Sequence, residues 1–196
     1  MVRIRYGTPA DAGAIAGVRH ASWQGAYTGI LAPEIIERET GHYDPGRERA
    51  RFAARPWRRT LVAEPAPPAP PPATPVRGSG IIGYASFGPE RDADGIPIRH
   101  QAGPARPPGV SSAELYAIYV TPAWWSTGAG RDLLRRVLQE TQAEGYPRIV
   151  LWVLERNTRA RRFYERSGFR LDGRAHGLDW LGGVTEVRYS RGLARP

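Results

Sequence analysis

Residues 113–131, AELYAIYVTPAWWSTGAGR, and 148–169, RIVLWVLERNTRARRFYERSGF, decide how this chain is read. Ala113 to Val120 is apolar and β-prone, and reads as a strand. Gly128 and Gly130 sit in the turn that follows. The next stretch carries Leu133, Leu134, Val137, Leu138 and Thr141 at helical spacing, which puts them on one face. Gly145 and Pro147 end that helix. Arg148 to Leu154 is nearly all apolar, as in a strand covered on both faces. Asn157 then opens a second helix with Ala160, Phe163 and Tyr164 on one side, and Ser167-Gly168-Phe169 closes it. The pattern is a βαβ unit. It predicts two parallel strands joined by a right-handed crossover.

The glycine turn lies where the first strand feeds the helix. The first amides of a helix have no partner within it. Glycine lets backbone approach a ligand closely. Free amides and the positive end of the helix dipole suit a phosphate or pyrophosphate. The spacing is neither G-x-x-x-x-G-K-[ST] nor G-x-G-x-x-G, so the two common nucleotide loops are excluded.

Strand, x-x-G-x-G, helix resembles the acetyl-CoA pyrophosphate loop of the GNAT N-acetyltransferases. Asn157-x-x-Ala160-x-x-Phe163-Tyr164-x-x-x-Gly168-Phe169 resembles the next motif of that superfamily. Two motifs in the right order carry far more than either alone, and the resemblance spans residues 112–170. One position departs: the family usually has Gln or Arg three residues before the first loop glycine, and here it is Trp125. The phosphates then fall mainly to backbone amides, and replacing Trp125 by Ala is expected to matter only if the indole packs on the cofactor.

The resemblance implies an α/β (α+β) fold. Its mixed, mostly antiparallel central sheet would have about seven strands, flanked by helices, with a splayed parallel pair at 114–120 and 148–154. It implies acetyl transfer from acetyl-CoA to a primary amine by direct attack in a ternary complex, without a metal. Ser126, Thr127, Gly128, Ala129, Gly130 and Arg131 would hold the pyrophosphate. Backbone at Ile118, Tyr119 and Val120 would hold the pantetheine and the thioester carbonyl. Asn157 would hydrogen-bond the cofactor, and it equally reads as a helix N-cap.

Two residues are candidates for the proton steps. Tyr164 carries a hydroxyl that suits the departing thiolate, or is a core aromatic at helical spacing. Glu114 begins the first strand, on one face with Tyr116, Ile118 and Val120 if side chains alternate regularly. Partial desolvation there would raise its pKa and suit a general base; the alternative is a surface glutamate or an anchor for a cationic acceptor. Trp23 and Tyr27, near the end of the first helix, line the acceptor wall by the same resemblance or are ordinary core aromatics. Tyr116 joins them as an acceptor contact.

The rest of the chain sets bounds. Its 196 residues suffice for one N-acetyltransferase domain spanning 1–196. There is no apolar run long enough for a membrane helix and no leader pattern, so a cytoplasmic protein without membrane partners is expected. Cysteine is absent, which removes disulfides and thiolate chemistry. The histidines, at 20, 42, 100 and 176, have no metal-ligand spacing. Lysine is absent and the net charge is +9. The arginines alternate with acids instead of clustering, which argues against a nucleic-acid partner. An anionic cofactor also favours a positive rim. The acceptor is a small-molecule amine or a protein amine, and a homodimer is left open. A CoA-binding regulatory domain without activity is the alternative class, with a basic nucleic-acid module behind it.

Elsewhere, Val2–Arg5 reads as a strand and Thr8-Pro9-Ala10-Asp11 as a helix start running to about residue 26. Thr60–Ala63 and Ile81–Phe87 read as a hairpin. Its loop holds the proline-rich stretch 65–80, with prolines at 65, 67, 68, 70, 71, 72 and 75, expected to be extended or disordered and dispensable. A second polar loop covers 88–111. Past Gly168 a strand starts at Phe169, Val184–Tyr189 returns with clean alternation, and His176, Asp179 and Trp180 fall in the intervening loop.

Overall fold

The structure, a computed structural model, describes residues 2–42, 44–53, 57–66, 80–92 and 112–193. Most of the proline-rich stretch (67–79) and of the second polar loop (93–111) lie outside the described residues.

Seven strands form one sheet: β1 (Val2–Tyr6), β2 (Arg59–Pro65), β3 (Gly83–Pro89), β4 (Ala113–Val120), β5 (Arg148–Leu154), β6 (Arg170–Leu178) and β7 (Val184–Gly192). Their order is β1-β2-β3-β4-β5-β7-β6. Neighbours are antiparallel except β4 and β5, which are parallel. That pair is the βαβ unit expected from the sequence, because a helical crossover returns the chain to the same end of the sheet.

Among the described residues, five α-helices flank the sheet: α1 (Ala12–Tyr27), α2 (Pro33–Thr40), α3 (Pro45–Ala53), α4 (Ala129–Ala143) and α5 (Thr158–Arg166). On one face Leu133, Leu134 and Val137 of α4 and Tyr164 of α5 bury against Leu115, Ile149, Leu151 and Val187. On the other, Ala14 and Val18 of α1 pack with Val62, Tyr84, Ala117 and Tyr119. A third cluster joins Leu31 and Ile36 to Leu154, Leu178 and Leu181, with Trp23 and Tyr27 against it. Alternation therefore sends Ile149, Leu151 and Val153 to the α4 side and Leu154 to the α1 side, which is why β5 is apolar throughout.

The entry to α1 is pinned. Thr8 donates to the Asp11 carboxylate from its amide (2.8 Å) and its hydroxyl (2.9 Å). The Arg5 guanidinium donates to both oxygens of the same carboxylate, at 2.8 Å each. A 3-10 turn, Pro9–Asp11, precedes the helix proper.

Two departures from the sequence reading shape the site. A bulge interrupts β4: Ser86 faces Ala117 and Phe87 faces Leu115, so Tyr116 has no cross-strand partner on β3. The alternation flips there. Ala113, Leu115, Ile118 and Val120 share the α4 side, while Ala117 and Tyr119 face α1. Glu114 does not share a face with Ile118 and Val120. The second departure is β6, which runs through Leu178 and includes His176, paired with Glu186 of β7 instead of lying in a loop.

Candidate active site

Pairing between β4 and β5 covers only Ala113–Leu115 against Ile149–Leu151. Beyond it the strands part, and a cleft of about 680 Å³ opens between them. Past Leu115, β4 keeps its bonds to β3, so its other edge faces the opening. The cleft connects the two faces of the sheet. The glycine turn and α5 border it on one side, and Ser22, Ala26 and Tyr27 of α1 on the other.

The turn has the geometry that the sequence pattern requires. Gly128 caps α4 at φ +98, a left-handed conformation that glycine adopts without a Cβ penalty. Ser126 is also left-handed (φ 64), and no other non-glycine residue is so among the described residues. The first intrahelical bond of this end runs from Asp132 N to Gly128 O. The amides of Ala129, Gly130 and Arg131 thus lie in the first turn, without helical partners. A Cβ built on Gly130 would come no closer than 3.8 Å to the protein. Packing does not demand glycine there, whereas close approach of a ligand would. Arg131, Arg159 and Arg166 give this end of the cleft its positive charge. Open amides, a positive rim and uncovered β4 backbone fit a pyrophosphate with a pantetheine arm.

Trp125 is no passive neighbour. Its indole N–H donates to Val120 O at 2.6 Å. The Arg159 guanidinium lies 3.5 Å from the centre of its ring. A Cβ on Gly25 of α1 would meet that ring at 2.8 Å. Trp125 thus joins α1, β4 and α5, and it carries an arginine at the position where the family usually has a polar side chain. Val120 is partly committed as well, because its carbonyl also accepts from Ser22 Oγ at 2.9 Å.

Of the other candidates, Tyr27, Tyr116, Ile118, Tyr119, Ser126, Thr127, Asn157 and Tyr164 line the cleft. Asn157 is the N-cap of α5, its side chain accepting from Ala160 N at 3.1 Å. Tyr164 is buried, which raises its phenol pKa and keeps it protonated at neutral pH. Burial likewise raises Tyr27 and Tyr119. The Ala129 methyl is buried in the α4 core, so this residue has only its amide to offer the turn. Trp23 packs edge-on to Tyr27 at 5.0 Å, within the third cluster and outside the lining.

Glu114 also stands outside the lining. Its side chain is 4% exposed and bound to Arg91: Nη2 donates at 2.5 Å, Nε at 3.2 Å and the amide at 2.9 Å. The carboxylate is committed to Arg91 and does not reach the cleft.

The sequence reading passed over Glu186 and Trp152, both in the lining. Glu186 is placed on β7 opposite Leu154. Burial, then the charge of Glu114, pushes its carboxyl up to about 7, against the opposing pull of Arg91. The alternating pattern of β7 flagged the strand, but nothing in that pattern singles out Glu186. Only the packing of α1 and α2 over its face of β7 makes that face a wall.

A seven-stranded sheet whose one parallel pair parts over an open helix N-terminus defines the N-acetyltransferase fold. The acetyltransferase (GNAT) family model matches residues 34–169, and the chain belongs to that family. A probable N-acetyltransferase of Mycobacterium tuberculosis is 27% identical over 190 residues, covering 93% of this chain and 88% of its own. A mycothiol acetyltransferase of Beutenbergia cavernae is 40% identical over 62 residues, 32% of this chain and 21% of its own. Among solved structures, the PaiA N-acetyltransferase of Thermoplasma acidophilum in complex with coenzyme A aligns with a TM-score of 0.67 at 19% identity, covering 98% of this chain and 99% of its own. A putative acetyltransferase of Salmonella typhimurium with acetyl-CoA aligns at 0.65 and 23% identity, over 100% and 95%.

Proposed function

We propose that this protein transfers an acetyl group from acetyl-CoA to a primary amine, by direct attack with both substrates in the cleft. The observation that carries this reading is the open first turn of α4, with Gly128 at φ +98, directly beside the parted strands. The amides of Ala129, Gly130 and Arg131 hold the pyrophosphate, with Ser126 and Thr127 shaping the turn and Arg131 and Arg159 adding charge. The exposed edge of β4 at Ile118 and Tyr119 takes the pantetheine, and Asn157 contributes from the start of α5. Bound there, acetyl-CoA supplies a thioester whose carbonyl carbon the amine attacks. Backbone donors aimed at the developing oxyanion contribute about 3 kcal/mol each to the transition state. Tyr164 serves the departing sulfur. Its raised pKa makes it a hydrogen-bond donor to the thiolate, with the proton drawn onward from water. Tyr27, Tyr119 and Tyr116 border the acceptor. Use of acetyl-CoA is compatible with the cytoplasmic location expected from the sequence.

The binding test is calorimetry with acetyl-CoA on the wild type and on Gly128→Val. The wild type binds. The variant cannot hold the left-handed turn without strain of roughly 1–3 kcal/mol, and it loses binding while far-UV circular dichroism stays native. Unchanged affinity in the variant would refute the loop assignment. The commitment of Glu114 to Arg91 favours one second reading, a CoA-binding domain without turnover. That domain would bind acetyl-CoA yet release no thiol with any amine.

A further inference from the structure

Among the described residues that line the cleft, Glu186 is the one carboxylate, and no arginine holds it. Its side chain is 24% exposed, with His176 Nε2 3.7 Å away. It sits on the α1 side of the sheet, cross-strand from Leu154 and away from the α4 side where the glycine turn lies. Neighbouring guanidinium groups are occupied. Arg91 holds Glu114. Arg188 holds Asp172 and Glu90 at 2.6 Å each. Around Glu186 stand Tyr27 of α1, Tyr119 of β4 and Tyr164 of α5, each close enough to feel its charge. Trp152 of β5 completes the wall, edge-on to the His176 ring at 4.3 Å. Glu114 and Arg91 act on Glu186 from a distance with opposite signs.

A recess of aromatic rings around one carboxylate suits a cation. Aromatic faces attract an ammonium, more so when it is desolvated. The rings beside it, Tyr27, Tyr119, Tyr164 and Trp152, carry hydroxyls and an indole N–H but no charge, so they offer no ion partner for a second cationic group on the ligand. We propose that Glu186 seats the ammonium of the acceptor and takes its proton, and that the acceptor is a primary monoamine on an apolar or aromatic body.

This rests on the acetyl-transfer reading. The ammonium loses one proton to Glu186. The freed lone pair forms the C–N bond to the thioester carbonyl carbon. The C–S bond breaks and the sulfur departs with its pair. A second N–H proton leaves nitrogen and reaches the sulfur through water and the Tyr164 hydroxyl, and Glu186 returns its proton to solvent. The Glu114 carboxylate adds to the rise that burial gives Glu186 and Arg91 opposes it; near neutrality a base is both ionised and basic.

The test uses acetyl-CoA with 2-phenylethylamine as probe, following thiol release across pH in the wild type and in Glu186→Gln. In the wild type kcat/KM falls as pH drops through about 7, because protonated Glu186 accepts nothing. Glu186→Gln loses roughly a hundredfold in rate. It also loses that acidic limb, while its affinity for acetyl-CoA by calorimetry is unchanged. Glu186→Asp recovers part of the rate and keeps the limb. The proposal is overturned if Glu186→Gln retains the limb. Its substrate half is overturned if the wild type acetylates spermidine in preference to 2-phenylethylamine. A wild type that binds no acetyl-CoA would bring down the underlying reading instead, and this inference with it.

Discussion

At the scale of single residues, Trp125 shows how a departure from a motif can be repaired elsewhere. The sequence shows that Trp125 stands where a polar side chain is usual. It does not show that Arg159, on the next helix, lies over the indole at 3.5 Å. Stacking fixes the guanidinium beside the glycine turn at little entropic cost, since the flat ring holds the flat cation. Truncating Trp125 therefore does more than the sequence alone suggested. Trp125→Ala removes the N–H bond to Val120, the support for Arg159 and the contact with α1 at Gly25. It should destabilise the fold by roughly 2–3 kcal/mol and weaken acetyl-CoA binding. Trp125→Phe keeps a ring under Arg159 and should keep most of the affinity. Thermal melts and calorimetry on both variants check this. Equal affinity in the Ala variant and the wild type would mean that Arg159 does not reach the phosphates.

At the scale of elements, burial decided what was legible. β4, α4, β5 and α5 could be read because each buries a face, and burial leaves a period in the sequence. β6 is one of the two edge strands and is exposed along nearly its whole length. RLDGRAHGL therefore carries no alternation, and His176 was placed in a loop. The bulge at Tyr116 was equally invisible, because a one-residue slip leaves the composition of β4 unchanged, yet it takes Glu114 off the face of Ile118 and Val120. Long-range ion pairs fared no better. Arg188 of β7 is 4% exposed and ties Asp172 of β6 to Glu90, next to the Arg91 that holds Glu114. Removing it leaves Asp172 without its ion partner and Glu90 with only the longer contact to Arg148 at 3.9 Å: Arg188→Ala should cost about 3 kcal/mol, read as a lower urea midpoint. If the triple variant with Asp172→Asn and Glu90→Gln is no more stable than Arg188→Ala alone, the stranded charges are not the cause.

At the scale of the whole molecule, Asp11 and Glu186 carry large carboxyl shifts in opposite directions and shape how stability responds to pH. Asp11 is held down to about 2, chiefly by the hydrogen bonds from Arg5. A carboxyl lowered on folding stabilises the native state above its ordinary value of 3.8, and that contribution is lost as pH falls toward 2. Glu186 is raised to about 7, chiefly by burial. The folded chain keeps its proton where the unfolded chain has released it, so stability falls as pH rises from 4.5 to about 7 and changes no further above. The two slopes leave a maximum near the ordinary carboxyl range, below neutrality. Thermal melts across pH should show it. Asp11→Asn should reduce the slope on the acid side, where Glu140, lowered chiefly by the hydrogen bond from Tyr6, keeps a remainder, and Glu186→Gln should flatten the neutral side. The sites lie on different elements and share no partner, so the two losses should add in the double variant. The melts need no substrate, so they ask separately whether Glu186 titrates where a base must. A Glu186→Gln protein with the wild-type slope between 4.5 and about 7 would show that this carboxyl is already ionised there.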